Sequence, residues 1–574
     1  MRLRRILRWW PVAVLLVIAL VVYAAWPGSS TFTVGPETTH ITGPVDGEGF
    51  LDYPTALNER MRAGVTPETN ANVLFWQALG PKPEGGNGMP PDYFRWLGAP
   101  APPDDGEYFI GSDKYFDKHL KDRPRPEPED PVRRFWLWPV EELDEVDFGF
   151  EADPRQQWHD RLSDARAWPW KAADEPDAAA WLRANEAPLA VVAAAVLRPT
   201  YYNPLVSFQT SARSPRLIGS LLPNVQKMRE VCNALVTRAM LRAGAGDYAG
   251  AWQDTLTIQR LGRLMTRGGT LIEHLVAVAV VTMATHAQVK LLGHTAHPVE
   301  RVRAWHADLR RLPPMPGLAA KLGQTERLVC LDSAMSITLS WPEGVDALAD
   351  GPVPGKPPAN PVTGRLFTRS VDWDPAFRNI NKMFDQCAAA SELTDPAARR
   401  QAYARIESEI KARKASLAGM NPLDRALLGR ERRGEMIGDI LITLLFPAVE
   451  KIQVASDRTE QLLVNLDLAF ALAACRADTG RYPARLDDLT PRYVATVPAD
   501  VFSGKPLIYR PTDAGYTLYS VGANGVDDDG VTFDDDPKGD DIRVRMPVVR
   551  PEPKAKPQGA APGPPLAPRS GLLD

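Results

Sequence analysis

The residues with the clearest chemical potential form an acidic segment near the carboxyl end of the chain. Residues 521–541 contain eight aspartates, and Lys538 is the only cation among them. A hard cation such as Ca²⁺ takes six to eight oxygen ligands, and Asp, Asn and Ser side chains together with free carbonyls supply them. The segment does not fit an EF-hand, because the first position would be Gly525 and the twelfth would be Asp536 rather than Glu. The sequence therefore predicts either a metal-binding loop or a solvated acidic surface loop.

The rest of the sequence shows no recognisable catalytic motif. It contains no G-x-S-x-G nucleophile motif, no G-x-x-x-x-G-K-[ST] phosphate loop and no dinucleotide-binding fingerprint. Five of the eight histidines lie between His274 and His306, but none stands in H-E-x-x-H or in an i, i+4 pair. Hydrogen-bonded or surface histidines are therefore expected there rather than zinc ligands. We predict no catalytic residue and no organic cofactor.

The elements on both sides of the acidic segment must position it. Apolar residues recur at helical spacing across residues 462–473, which predicts a helix. Residues 506–510 and 516–521 are typical of strands, and the turn signal "PTDAG" between them predicts a hairpin. Residues 542–546 can add a third strand. We therefore expect a helix packed on a small antiparallel sheet, with the acidic segment joining the last two strands.

Four short motifs surround the acidic segment. They are "GRYP" at 480–483, "DVFSGKP" at 500–506, "LYSVGANG" at 518–525 and "DI" at 541–542. In their order and spacing they resemble the C-terminal half of the major pseudopilins of type II secretion systems. The resemblance covers residues 460–546 and implies a small α+β module whose acidic loop holds a calcium ion.

The resemblance also implies a ligand set for that ion. The candidate ligands are Ser520, Asn524, Asp527, Asp540 and Asp541. A calcium ion here would staple the loop and would not catalyse a reaction. Two features depart from the family: Asn524 replaces its aspartate, and nothing near the first residue resembles the prepilin cleavage motif. The chain is therefore not expected to be a pilin subunit itself.

The amino terminus predicts a membrane anchor at residues 1–28. The stretch "MRLRRILRWW" places four arginines ahead of an uncharged run at residues 9–26. Eighteen helical residues reach roughly 27 Å, enough to span a hydrocarbon core. Arginines on this side predict a single-pass protein of the inner bacterial membrane with a cytoplasmic amino terminus and an extracytoplasmic body. The alternative is a secretory signal cleaved near Ala24, which would also export the body.

The chain between the anchor and the module is predicted to be mainly α-helical. Prolines and glycines divide residues 29–200 into helical fragments, and "GDYAGA" within residues 201–349 resembles the turn of a tetratricopeptide-like helical hairpin. A Pro/Gly linker at 350–365 precedes a further helical region at 366–459. Residues 547–574 have too few apolar side chains to fold. The expected fold class is mainly α, with a helical-hairpin body and a small C-terminal α+β module.

Local signals also predict individual helix boundaries. Asp247 is placed to cap one helix of the body, and Thr270 and Glu273 form a capping box that begins the next. The apolar run at residues 275–284 is too short to cross a membrane, so we expect a buried core helix. Pro447 is expected to break or kink the long helical stretch that leads to the module.

Composition restricts the function classes. A formal net charge of −4 gives no reason to expect a nucleic-acid partner. The four cysteines form no C-x-x-C motif, so buried thiols are expected, with one or two disulfides as the alternative. The resulting expectation is a membrane-anchored scaffold or interaction protein with an unidentified protein partner. The alternatives are an extracytoplasmic hydrolase whose site is assembled from distant residues, and an accessory component of a secretion apparatus.

Overall fold

The computed structural model describes residues 32–83, 88–121, 153–208, 211, 214, 216–220, 222–340, 371–421, 424 and 428–550. The chain is mainly α-helical and carries a three-stranded antiparallel sheet at its C-terminal end, so the predicted fold class is confirmed. The predicted anchor at 1–28, the whole predicted linker at 350–365 and the part of the predicted tail beyond residue 550 lie outside the described residues.

Short helices make up the amino-terminal part. Asp52 caps the first of them through a hydrogen bond from the Thr55 amide, and Asn70 caps the second through the Asn72 amide. The helices are α1 Tyr53–Arg62, α2 Ala71–Leu79, α3 Pro91–Leu97, α4 Ser112–His119, α5 Pro154–Ala167, α6 Pro176–Ala184 and α7 Glu186–Ala195.

Three longer helices follow, each packed against the next and joined by short connections. They are α8 Pro223–Gly244, α9 Tyr248–Met265 and α10 Leu271–Gly293. Both predicted caps are confirmed. The Asp247 carboxylate accepts a hydrogen bond from the Gly250 amide at 2.9 Å, and Thr270 and Glu273 form the capping box of α10.

The next helices complete the body. They are α11 Val299–Arg310, α12 Ala319–Lys321, α13 Arg327–Ser340, α14 Asp374–Glu392, α15 Pro396–Gly419 and α16 Arg430–Leu445. A π-helical turn, Leu322–Glu326, joins α12 to α13. The predicted break is confirmed, because α16 ends at Leu445 and the final helix, α17, begins at Pro447 and runs to Thr479.

The C-terminal module consists of α17, a 3₁₀ turn and the sheet. Gly480 ends α17 in the left-handed region with φ of 77°, which glycine adopts without a steric cost. The turn is Leu486–Leu489, and the strands are β1 Ile508–Pro511, β2 Tyr516–Ser520 and β3 Ile542–Met546, in the order β1-β2-β3. Ser520 pairs with Ile542, so the acidic segment begins and ends at the same place in the sheet.

Two large hydrophobic cores hold these elements together. The first combines side chains of α8 to α11 with side chains of α17, β2 and β3. Within it, the rings of Trp252 and Phe470 meet edge to face, with 5.7 Å between their centroids. The second core joins α1, α13, α14 and α16, with Phe377 fully buried at its centre. The sheet therefore shares its core with the helical body.

Helix α10 lies inside the first core. It is the one helix in the described part of the chain that is long and apolar enough to cross a membrane, and 61% of its most apolar window is buried in the protein. This burial agrees with the expected core helix. All four cysteines are buried and unpaired, as expected from their spacing.

Candidate functional site

The acidic loop, residues 521–541, has tight glycine turns at its start and near its middle. Gly522 has φ of 65°, and a Cβ atom there would lie 2.1 Å from the Asp540 carbonyl oxygen. Gly530 has φ of 82°. Only glycine tolerates both the backbone angle and the close approach at Gly522, so the sequence itself brings the start and the end of the loop into contact.

Asp541 is the most deeply buried carboxylate of the loop. Its side chain belongs to a residue that is 2% exposed, and Oδ2 accepts a hydrogen bond from the Gly530 amide at 2.7 Å. The other oxygen, Oδ1, is buried without any hydrogen-bond partner. Burial raises the pKa of Asp541, and the nearby carboxylates of Asp528 and Asp527 raise it further. The negative charge of the Asp541 carboxylate is thus stabilised by a hydrogen bond to only one of its two oxygens.

Asp540 is engaged on both carboxylate oxygens. Oδ1 forms an ion pair with Arg458 of α17, and Oδ2 accepts a hydrogen bond from the Asn524 amide at 2.8 Å. Its own amide donates to Asp528 Oδ2 at 2.8 Å. These contacts tie the first half of the loop to its last two residues and to α17.

The other three predicted ligands also accept hydrogen bonds from nearby protein groups. Ser520 Oγ accepts from the Gly522 amide at 3.2 Å. Asn524 Oδ1 accepts from the Val526 amide at 2.8 Å. Asp527 Oδ1 accepts from the Tyr519 hydroxyl and from the Asp529 amide, both at 3.0 Å.

The structure therefore brings the five predicted ligands into one loop but directs most of their oxygens toward protein donors. Within the described residues, no three His, Cys, Asp or Glu side chains are arranged so that they could hold a metal ion without movement. The donor set still suits a hard cation, because it consists of oxygens and includes the unpartnered Oδ1 of Asp541. A cation could bind only if some of these hydrogen bonds were exchanged for metal contacts.

Sequence reasoning missed the residues that anchor the loop from outside. Asp500 is buried, and its Oδ2 accepts a hydrogen bond from the Val521 amide at 3.1 Å. On α17, Asn465 donates to the Ile542 carbonyl at 2.8 Å, and Gln461 donates to Asn465 Oδ1 at 2.7 Å. The "DVFSGKP" motif signalled the turn at Asp500 but not its bond to the loop, and no sequence signal marked the two amides.

A cavity of about 920 Å³ lies beside the loop, between α10, α17 and β3. Its volume falls within the range of about 300–1,000 Å³ that is usual for small-molecule sites. All three of the lysine and arginine side chains in its wall already have protein partners: Arg458 pairs with Asp540, Arg543 pairs with Asp535, and Lys290 Nζ donates to the Arg166 carbonyl at 3.2 Å. The charged and titratable lining residues are His286, Lys290, Arg458, Asp534, Asp535, Asp540, Asp541 and Arg543.

Two of the histidines singled out in the sequence, His274 and His306, make contacts to α17. His274 is buried, and its Nε2 lies 2.9 Å from the Ser456 hydroxyl of α17. Burial lowers the pKa of His274 to about 4, so its ring is neutral near pH 7. His306 Nε2 lies 2.7 Å from Asp467 Oδ1 of the same helix. Both side chains connect α17 to the helical body.

Comparison with known proteins identified no relative: the chain matches no family model, no curated protein and no solved structure.

Proposed function

We propose that this protein is a membrane-anchored, extracytoplasmic interaction protein whose acidic loop is stapled by a calcium ion. The observation that carries the calcium part of the proposal is the buried, unpartnered Oδ1 of Asp541, which faces the repulsion of Asp527 and Asp528. The resemblance of residues 460–546 to the pseudopilin module supports the same metal. The anchor rests on the arginine-flanked apolar run at residues 9–26.

A calcium ion would relieve the electrostatic cost of the loop. Binding would draw on the carboxylates of Asp541 and Asp527 and on the side-chain oxygens of Ser520 and Asn524. Their present partners are amides of the loop and the Tyr519 hydroxyl of β2. Exchanging those neutral hydrogen bonds for contacts to a dication neutralises the buried charge on Asp541. The ion would also fix the distance between the two ends of the loop.

The interaction role rests on the apolar side chains that the module exposes. Val526 and Phe533 of the acidic loop and Val549 beyond β3 are 56%, 63% and 67% exposed. Phe533 also lines the cavity beside the loop. Exposed apolar patches rimmed by polar residues mark surfaces that contact a partner protein. A stapled loop would present them in one fixed arrangement.

The cavity supports a second candidate function, an extracytoplasmic hydrolase. Its wall contains His286 and several carboxylates around a space large enough for a small substrate. Purified protein should then cleave at least one of a set of chromogenic ester, peptide or glycoside substrates, and His286→Ala should abolish that cleavage. Turnover that survives in His286→Ala would show that this site is not responsible.

Terbium luminescence and calcium-dependent melting test the metal site. The full chain is required, in lipid nanodiscs, because the module shares its core with the helical body. Terbium replaces calcium at oxygen sites, and the Tyr519 ring, hydrogen-bonded to Asp527, is positioned to sensitise its emission. We expect emission that calcium displaces, and a melting temperature that rises with calcium and falls with chelator. If neither signal appears at millimolar calcium, the loop is a solvated acidic loop.

Protease accessibility tests the topology separately. In spheroplasts, added protease should degrade the body, and the chain should remain in the membrane after carbonate extraction. If the protease degrades the body only after the spheroplast membrane has been permeabilised, the body lies in the cytoplasm and the proposed orientation is wrong. This result would not bear on the calcium site.

A further inference from the structure

A second pocket lies far along α17 from the acidic loop, where the amino-terminal end of α10 meets α13, α14 and the junction of α16 with α17. Its volume is about 170 Å³. Most of its wall is apolar and includes the rings of Phe384 and Phe446 and the side chains of Leu222 and Leu271. Engineered apolar cavities of about 150 Å³ bind benzene, so this pocket has room for one six-membered ring.

One carboxylate stands in this apolar wall. Glu326 is the last residue of the π-helical turn between α12 and α13, and π turns inside helices often occur at functional sites. Its Oε1 accepts a hydrogen bond from the Leu271 amide at 2.7 Å. Across the described part of the chain, Oε2 accepts no hydrogen bond, and Glu326 forms no ion pair. Its charge is therefore only partly compensated.

The nearest cation does not satisfy Glu326. Lys321 lies one turn earlier in the chain, but its ammonium group donates to the Gly268 carbonyl instead. Burial raises the pKa of Glu326, the charge of Lys321 partly offsets that effect, and Glu273 adds to it. Glu273 itself is fully occupied by the capping box and by Asn203 and Tyr201. Among Lys321, Glu273 and Glu326, Glu326 is thus the residue whose charged group is available to a ligand.

We propose that the pocket binds a small primary amine, with a ring of about six carbons among the apolar side chains and the ammonium group on Glu326. An ammonium group supplies the positive charge and the donors that the carboxylate lacks. Ile218 and Ile272 line the pocket and are 43% and 54% exposed, so the apolar wall continues to the protein surface and gives the ring a route in. The proposal does not depend on calcium or on the acidic loop.

Benzylamine and benzyl alcohol form a matched pair of probes. They have nearly the same shape, and only benzylamine carries the ammonium group. The full chain in lipid nanodiscs, with chelator present, is titrated with each compound by calorimetry and by thermal melting. We expect benzylamine to bind at least about tenfold more tightly than benzyl alcohol, because a hydrogen bond to a charged group contributes more than one between neutral groups.

Two variants separate the carboxylate from the cavity. Glu326→Gln keeps the shape and an acceptor for Leu271, and we expect it to reduce benzylamine affinity to that of benzyl alcohol. Ser220→Phe fills the pocket from its half-buried wall and should abolish binding of both compounds. The melting temperature of each variant without ligand shows that it is folded.

Equal binding of the two probes, or unchanged benzylamine affinity in Glu326→Gln, would overturn the assignment of an amine. No binding of either probe to the folded native chain would overturn the pocket itself. Because chelator is present throughout, none of these results bears on the calcium site.

Discussion

The change Asp541→Asn should remove most of the calcium dependence of stability and make the calcium-free protein more stable. In the native chain, Oδ2 of Asp541 accepts the Gly530 amide and Oδ1 is buried without a partner. An asparagine keeps the acceptor for Gly530 and places an NH₂ group, rather than a charged oxygen, toward Asp527 and Asp528. Leaving a buried acceptor unpaired costs about 1–3 kcal/mol. We therefore expect the calcium-free variant to be more stable than the calcium-free native chain by about 1 kcal/mol at pH 7.

The pH dependence of this difference follows from the raised pKa of Asp541. A carboxyl whose pKa is higher in the folded than in the unfolded state contributes stability below the unfolded pKa, near 3.9, and loses it as the pH rises through the folded value. Asparagine does not titrate. The advantage of the variant should therefore appear at neutral pH and disappear below about pH 4.

With calcium bound, the native chain should become more stable than the Asp541→Asn variant. At a calcium concentration 100 times the dissociation constant, binding stabilises the native chain by about 2.7 kcal/mol, and Asp541→Asn should gain little or none of this. The assay is tryptophan-detected melting of the full chain in nanodiscs, with calcium and with chelator. Asp534→Asn is the control, because it removes the same charge from an exposed position in the same loop. An equal calcium response in both variants, or a less stable Asp541→Asn in chelator, would refute the reasoning.

Three further changes probe contacts that the structure shows directly, each measured by chemical or thermal denaturation. Glu273→Ala should cost about 2–4 kcal/mol, because it leaves the buried Asn203 amide and other neutral donors unpaired. At Asp467 burial opposes ionisation, but hydrogen bonds from His306 and an arginine outweigh it and lower the pKa to about 2. This stability is present above the unfolded pKa and is lost as the pH falls through about 2, so Asp467→Asn should cost about 1–2 kcal/mol at pH 7 and progressively less toward pH 2. Gly522→Ala should destabilise the acidic loop, because the new Cβ would lie 2.1 Å from a carbonyl oxygen.

Matched changes serve as references for these measurements. Glu300→Ala removes an exposed glutamate from the first turn of α11 and should change stability by less than about 0.5 kcal/mol. Gly525→Ala introduces the same strain of a positive φ, 70°, but the new Cβ would meet no atom within 4 Å. A Gly525 variant as unstable as Gly522→Ala would mean that backbone strain, and not contact with Asp540, dominates. An Asp467→Asn effect that is independent of pH would show that packing, and not charge, is responsible.

The parts of the fold that the sequence predicts are those that depend on neighbouring residues. The capping box of Thr270 and Glu273 lies within four positions, and the cap at Asp247 spans the same distance. The break at Pro447 follows from the missing amide of one residue. The turn "PTDAG" similarly fixes the β1–β2 hairpin. These signals involve only a few adjacent residues, and they correctly predict these helix ends and this strand pair.

The sites depend on contacts between distant residues, which no local pattern encodes. Arg458 and Asp540 are separated by 82 positions, and their ion pair occupies a carboxylate that the motif alone presents as a free ligand. The amine pocket is a stronger case. Glu326 remains open only because Lys321, five residues away, binds the Gly268 carbonyl, and that contact exists because the π turn and the start of α10 pack together.

Helix α17 explains why the acidic loop cannot be treated as a separate domain. Arg458 holds the loop through Asp540, while two residues earlier Ser456 contacts His274 of α10. Three turns further on, Phe470 packs against Trp252 in the shared core. Because these contacts lie on one continuous helix, a cation or partner that draws Asp540 away from Arg458 removes a restraint from a helix whose other contacts are fixed in the body. A change in the charge contacts of the loop therefore also affects how α17 packs against the helical body.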